Sequence, residues 1–153
     1  MGELHNVTYC GLYCKLCSTK SRIPKTASAL RDTMAVESWE SFGEYIEPDF
    51  KAFWSTLNKI ARYEEDMPDC RGGCGDPECN IRKCAKERGT ELCPLCEDYP
   101  CNLIISFAGK HPNLISDGKR LVKIGVESWI KEQELRSKTG FCYCDIRYPY
   151  EET

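Results

Sequence analysis

A chain of 153 residues with 41% hydrophobic content is long enough to bury a core unaided, so its twelve cysteines need not be the disulfides that prop up thin secreted domains. The formal net charge of −3, from 21 basic and 24 acidic side chains, makes nucleic acid an unfavoured partner, because phosphate binding depends on clustered cations and counterion release. The apolar run around Leu103, Ile104 and Ile105 is far too short to span a bilayer, and the opening MGELHNVTYC shows no signal peptide. The expectation is a cytoplasmic chain of one domain, residues 1–153, whose thiols stay reduced or carry metal.

In chain order, the first signal is CGLYCKLC, with Cys10, Cys14 and Cys17. Thiolates two to four residues apart can converge on one ion without long-range chain closure. The spacing of three residues and then two resembles the [4Fe–4S] motif of radical S-adenosylmethionine enzymes. Those enzymes wrap the cluster in a large barrel-like domain, for which this chain has no room. Gly11 suits a turn that aims backbone N–H groups at a thiolate.

Pro24 opens a predicted helix to about Val36 through Ala27, Leu30 and Met34. After Pro48, the residues Phe50, Phe53, Trp54, Leu57, Ile60 and Ala61 recur at helical intervals, which predicts an amphipathic helix with an aromatic stripe. Aromatics at that spacing are read as core rather than as a ligand platform. Trp39, Phe42, Tyr45 and Ile46 are expected to pack against it, giving an aromatic core free of metal.

The middle cluster, CRGGCGDPECNIRKC, carries Cys70, Cys74, Cys79 and Cys84. Its glycines and Pro77 predict a loop, followed by a helix from about Glu78 through Ile81 and Ala85 to Gly89. Five residues along a regular helix turn the side chain by about 140°, so Cys79 and Cys84 should not share an ion from mid-helix positions. The economical arrangement puts Cys79 at the helix start facing the loop cysteines, and Cys84 a turn deeper against another cluster. The cations Arg71, Arg82, Lys83, Lys86 and Arg88 around it are read as neutralising anionic metal sites and solvating a helix face, with an RNA-facing surface as the sharper alternative.

The third cluster, CPLCEDYPC, holds Cys93, Cys96 and Cys101. Its CPLC resembles the redox motif of thioredoxin-like proteins, but the flanks lack βαβ patterning, which favours metal ligation over dithiol catalysis. From Pro100 a helix is predicted through Leu103, Ile104 and Phe107, stopping near Gly109 and leaving His111 in a loop. A last helix is expected from Asp117, as N-cap, through Leu121, Trp129 and Leu135 to just before Gly140. Alternation from Phe141 to Ile146 then predicts a short extended segment, on which Cys142 and Cys144 would face the same side. They could complete a metal site or pack as small apolar residues.

Only His5 and His111 could supply imidazole, so any four-coordinate site must be mostly sulfur. Ten clustered cysteines fill two tetrathiolate sites and leave two over; with Cys142 and Cys144 the count makes three. Each such site around a divalent ion is itself anionic, so two would take the chain from −3 to about −7. Closed all-sulfur coordination argues against hydrolysis, since catalytic zinc keeps a position for water. An HExxH helix, a deaminase triplet, a nucleophile elbow and a phosphate-binding glycine loop are all missing from the sequence.

Taken in order, CGLYCKLC, GCGDPECNIRKCAKERG and LCPLCEDYPC resemble the Domain of Unknown Function 3795 family, short cysteine-rich proteins of archaea and anaerobic bacteria to which zinc binding is ascribed. The resemblance runs from Cys10 to Cys101. It implies that Cys10, Cys14, Cys17, Cys74, Cys79, Cys84, Cys93, Cys96 and Cys101 are the motif cysteines, with Cys70, Cys142 and Cys144 outside the pattern.

The expected fold is mainly α, with irregular cysteine-rich metal-binding loops, about five helices and a short C-terminal extended segment. The leading functional reading is a structural metal protein, in which two or three zinc ions clip loops onto a helical core to make an interaction or regulatory module for a protein partner. The alternatives are an iron–sulfur protein carrying a [4Fe–4S] cluster and an RNA-binding zinc module.

Overall fold

The structure is a computed structural model that describes residues 4–147. It divides into two compact units, Ser18–Met67 and a second built from the segments before Ser18 and after Met67. All twelve cysteines belong to the latter. The helices are α1 (Arg22–Val36), α2 (Trp39–Ile46), α3 (Phe50–Ile60), α4 (Tyr63–Asp66), α5 (Asn80–Arg88), α6 (Asn102–Ala108), α7 (Leu114–Ile124) and α8 (Val126–Lys138). Short 3-10 turns occupy Leu4–Asn6, Cys14–Leu16, Cys93–Leu95 and Tyr143–Asp145. The class is therefore mainly α, with eight α-helices among the described residues rather than about five. No helix there is long and apolar enough to cross a membrane.

In the Ser18–Met67 unit, Phe50 opens α3 and is 3% exposed. Its ring lies 5.8 Å from that of Trp39 and 5.6 Å from that of Trp54, onto which it stacks. Trp39 and Phe42 also touch, at 5.4 Å between ring centres, so these two aromatics join the stripe as expected. Tyr45 and Ile46 do not: they are 91% and 59% exposed, because the turn of α2 that carries Gly43 against Phe50 sends them outward.

In the cysteine-bearing unit, Trp129 and Leu121 from α8 and α7 are fully buried together with Val7, Tyr13, Leu16, Leu92 and Tyr143. Tyr13 meets Trp129 edge-on at 6.1 Å, the arrangement that aromatic quadrupoles favour. Its backbone N–H donates to the Tyr143 hydroxyl at 2.9 Å, and its own hydroxyl donates to Glu134, which also takes Lys15 at 2.7 Å. Lys15 and Tyr13 together hold the Glu134 carboxyl below the ordinary range.

The single long helix expected after Asp117 is instead two. The apolar period runs through the junction, but Gly125 adopts φ +83° and ψ 156°, a conformation open essentially to glycine alone, which ends α7 and starts α8. Asp117 sits in the first turn of α7 rather than at its N-cap, accepting from Asn113 at 2.7 Å and from Arg136 at 3.2 Å. The extended segment expected at 141–146 is also replaced. Tyr143–Asp145 forms a 3-10 turn, closed because the Asp145 side chain caps the Cys142 N–H at 3.0 Å. The bridge between Val7 and Tyr13 is the only β pairing among the described residues, so the sheet of a thioredoxin-like or barrel fold is missing there. His111 does lie in the loop between α6 and α7, but buried against Phe107 at 4.4 Å, and burial pulls its imidazole down to about 4.

Candidate metal centre

Sequence spacing alone leaves open which thiols meet. The chain after Cys17 departs into another unit and returns at Pro68, so the first cluster meets the others only by folding. The loop Thr8–Leu12 is closed by Thr8 N–H to Leu12 O at 2.9 Å and by Leu12 N–H to the Thr8 hydroxyl at 2.8 Å. It presents buried Cys10, whose Sγ lies 3.1 Å from that hydroxyl. The neighbouring Tyr9 carbonyl takes the Cys93 N–H at 2.7 Å, which joins the first cysteine loop to the third.

Two gatherings of thiols result. Helix α5 begins at Asn80, so Cys79 stands at its N-cap and Cys84 lies a turn deeper. Cys84 lines a cavity of about 30 Å³ with Cys93, Cys96 and Cys101, completed by apolar groups that include Ala85 and Ile104. Cys79, Cys93 and Cys101 pack against the small core that contains Cys10, and the charges of Cys70 and Cys79 act on the Cys10 thiol, so the two gatherings adjoin. Cys79, at the helix start, and Cys84, a turn into the helix, thus lie against different thiols, the arrangement expected of them. Cys14 and Cys17 bracket the 3-10 turn that packs on α8, and Cys74 follows Cys70 in the glycine loop. Cys142, buried, and Cys144, exposed, have their sulfurs 3.2 Å apart.

Burial pushes the Cys10 and Cys93 thiols up to about 12, with the charges of neighbouring thiols adding to the effect. In the absence of a cation both are neutral at pH 7. A divalent ion set among them would reverse this balance, since coordination deprotonates a thiol outright. Among the described residues, no group of three or more His, Cys, Asp or Glu is placed to hold a metal ion. The thiols share a cavity without closing on it. The donor chemistry suits zinc, and the side chains must draw inward to bind it.

The cations around the second cluster have roles that the spacing did not reveal. Arg82 is only 6% exposed, and its guanidinium donates to the carbonyls of Cys70 at 3.0 Å and Cys74 at 2.9 Å, and to that of Asp76. A loop without helix or strand must find donors for its carbonyls, and one buried fork supplies three. Arg71 does the same between loops, donating to Leu4 O at 3.1 Å, Val7 O at 3.0 Å and Glu91 O at 2.5 Å, while lying over the Tyr9 ring. Both fasten cysteine loops in place. The available signal was the glycine-rich run itself, whose unpaired carbonyls demand a donor nearby. At the cavity, Arg88 donates to Cys96 Sγ at 3.1 Å and pairs with Asp98 at 2.7 Å. Lys83 pairs with Glu78, and Lys86 stays exposed.

Helix α7 reaches this region through Gly118. A Cβ there would stand 2.1 Å from the Tyr99 hydroxyl and 3.2 Å from Pro94, the proline of CPLC. Gly118→Ala is therefore expected to displace the third cysteine loop and to cost about 1–3 kcal/mol of stability by overpacking. Urea unfolding would register this as a lower midpoint with an unchanged slope.

No curated protein and no solved structure matches the chain. The profile of the family described as Protein of unknown function (DUF3795) matches residues 6–106, the span that carries the three cysteine clusters and the cavity lined by Cys84, Cys93, Cys96 and Cys101. With two thirds of its length so matched, the chain belongs to the DUF3795 family.

Proposed function

We propose that this chain is a structural metal protein whose cysteine loops are clipped to the helices of their unit by zinc thiolate sites, making a rigid interaction or regulatory module. The observation that carries the reading is the convergence of Cys84, Cys93, Cys96 and Cys101, from two separate sequence clusters, on one small cavity. These four would hold one ion. Cys10, Cys70 and Cys79 would contribute to a second, with Cys14, Cys17 and Cys74 as the remaining donors of the clusters.

Size favours zinc over an iron–sulfur cluster at the first site. A cavity of about 30 Å³ has room for one or two water-sized bodies, enough for a single ion and too little for a cube of eight iron and sulfur atoms. The RNA-binding reading has less support: Arg82 is inside, and Arg71, Lys83 and Arg88 are engaged with groups of the chain itself.

Elemental analysis of anaerobically purified protein tests the proposal. The expected result is a colourless protein with about two zinc ions per chain, and loss of about one of them in Cys84→Ser. A brown protein containing iron would favour the cluster instead. Metal-free native protein that takes up neither would end both readings.

A further inference from the structure

Helix α5 ends at the edge of the cavity that Cys84, Cys93, Cys96 and Cys101 line. Its last residue, Arg88, is followed by Gly89 at φ +65°, and the Thr90 N–H returns to the Ala85 carbonyl at 2.8 Å, so the backbone that carries the guanidinium is fixed. The guanidinium divides its donors. Nη1 donates to Cys96 Sγ at 3.1 Å, and Nη2 pairs with the Asp98 carboxylate at 2.7 Å. A wider hollow of about 360 Å³ lies against the small cavity of about 30 Å³, and Arg88, Thr90, Cys96 and Asp98 line both. The ion pair and the Cys96 sulfur therefore stand where the inner cavity meets the outer hollow. Four thiolates around one divalent ion leave the group anionic, and a guanidinium hydrogen-bonded to one sulfur both offsets that charge and holds the sulfur in place.

We propose that the Arg88–Asp98 pair is the gate of this cavity and sets how fast a thiolate-binding divalent cation is exchanged there. While Arg88 bridges Cys96 and Asp98, the way from the outer hollow to the four thiols is barred; when the bridge parts, it opens. The inference rests on the zinc reading given above and adds to it a control on metal release. Arg88 is a positioning residue in this account, acting through the Cys96 sulfur and not as a ligand. Its side chain and that of Asp98 are 50% and 59% exposed, so the bridge is open to screening by salt. Neither side chain is part of the buried core, and replacing either leaves the packing of the cavity's apolar lining, Ala85 and Ile104, in place.

The test follows zinc release from the full-length, zinc-loaded protein into an excess of a chromogenic chelator. The phase that belongs to this cavity is the one missing from Cys84→Ser. In Arg88→Met that phase is expected to run about ten times faster, the factor that loss of one charge-assisted hydrogen bond supports. Asp98→Asn, which removes the ion pair and leaves the bond to Cys96, should fall between the two. Lys86→Met, which removes an exposed cation from the same helix, should release at the unaltered rate. High salt should speed release from the unaltered protein and not from Arg88→Met. With cobalt in place of zinc, Arg88→Met should also shift the sulfur-to-metal charge-transfer band, which a general loosening of the fold would not move. Equal release rates in the unaltered protein and Arg88→Met, the same acceleration in Lys86→Met, or an unmoved cobalt band would each overturn the gate while leaving the zinc reading intact. A native protein that binds no metal would overturn both.

Discussion

On the proposed zinc thiolate reading, a strong chelator is expected to unfold the cysteine-bearing unit. Apparent binding free energies of structural zinc in small domains are about 10–16 kcal/mol, while a whole domain is stable by only about 5–15 kcal/mol. An ion that joins loops from separate parts of the chain is therefore worth as much as the net stability of the unit it joins. Trp129 is the natural reporter, being fully buried between Tyr13 and the core of that unit. The other two tryptophans, Trp39 and Trp54, lie in the aromatic cluster of the Ser18–Met67 unit and can be replaced by phenylalanine. In that background, chelation should shift Trp129 emission to the red in step with zinc released, and added zinc should reverse it under reducing conditions. Complete zinc release with unchanged emission would show that the metal is not structural.

Arg82→Met should be clearly destabilising, although the residue is no candidate metal ligand. The aliphatic replacement fits the buried stem, but the carbonyls of Cys70, Cys74 and Asp76 remain and lose their shared donor. Replacing both partners of a buried polar contact can be harmless; here one side is backbone and cannot be replaced. A cost of about 1–3 kcal/mol follows from the carbonyls left without a donor, together with weaker metal uptake by the cysteines of that loop. Lys83→Met, one residue along α5 but exposed, should change stability by no more than about 0.5 kcal/mol. Denaturant midpoints of the two variants decide the matter, and equal midpoints would refute the role given to Arg82.

What could be read in advance was local. The stripe from Phe50 to Leu57, the loop at Gly72 to Pro77 and the divergence of Cys79 from Cys84 depend on spacing within one element, where the helical period and glycine or proline chemistry dominate. The break at Gly125 was hidden because apolar residues continue on both sides of it, and a glycine within a helical pattern is ambiguous until its φ is known. Tyr45 and Ile46 misled for a related reason: their apolar character says that burial is favourable, and not that a surface is available to cover them. The pairing of Cys142 with Cys144 was legible as a shared side, but not as a 3-10 turn, since the deciding contact is the Asp145 cap.

By itself, the sequence determined a mainly helical chain, its family, and loops dense in thiols at spacings that suit a metal. These follow from composition, periodicity and motif order, all of which are properties of short windows. Only the tertiary structure decided that the cluster Cys84 turns to is that of Cys93, Cys96 and Cys101, that Cys10 packs close to Cys79 and Cys93, and that Arg82 is buried. Those outcomes depend on loops far apart in sequence satisfying their carbonyls and burying their apolar neighbours at the same time. No local window contains that requirement.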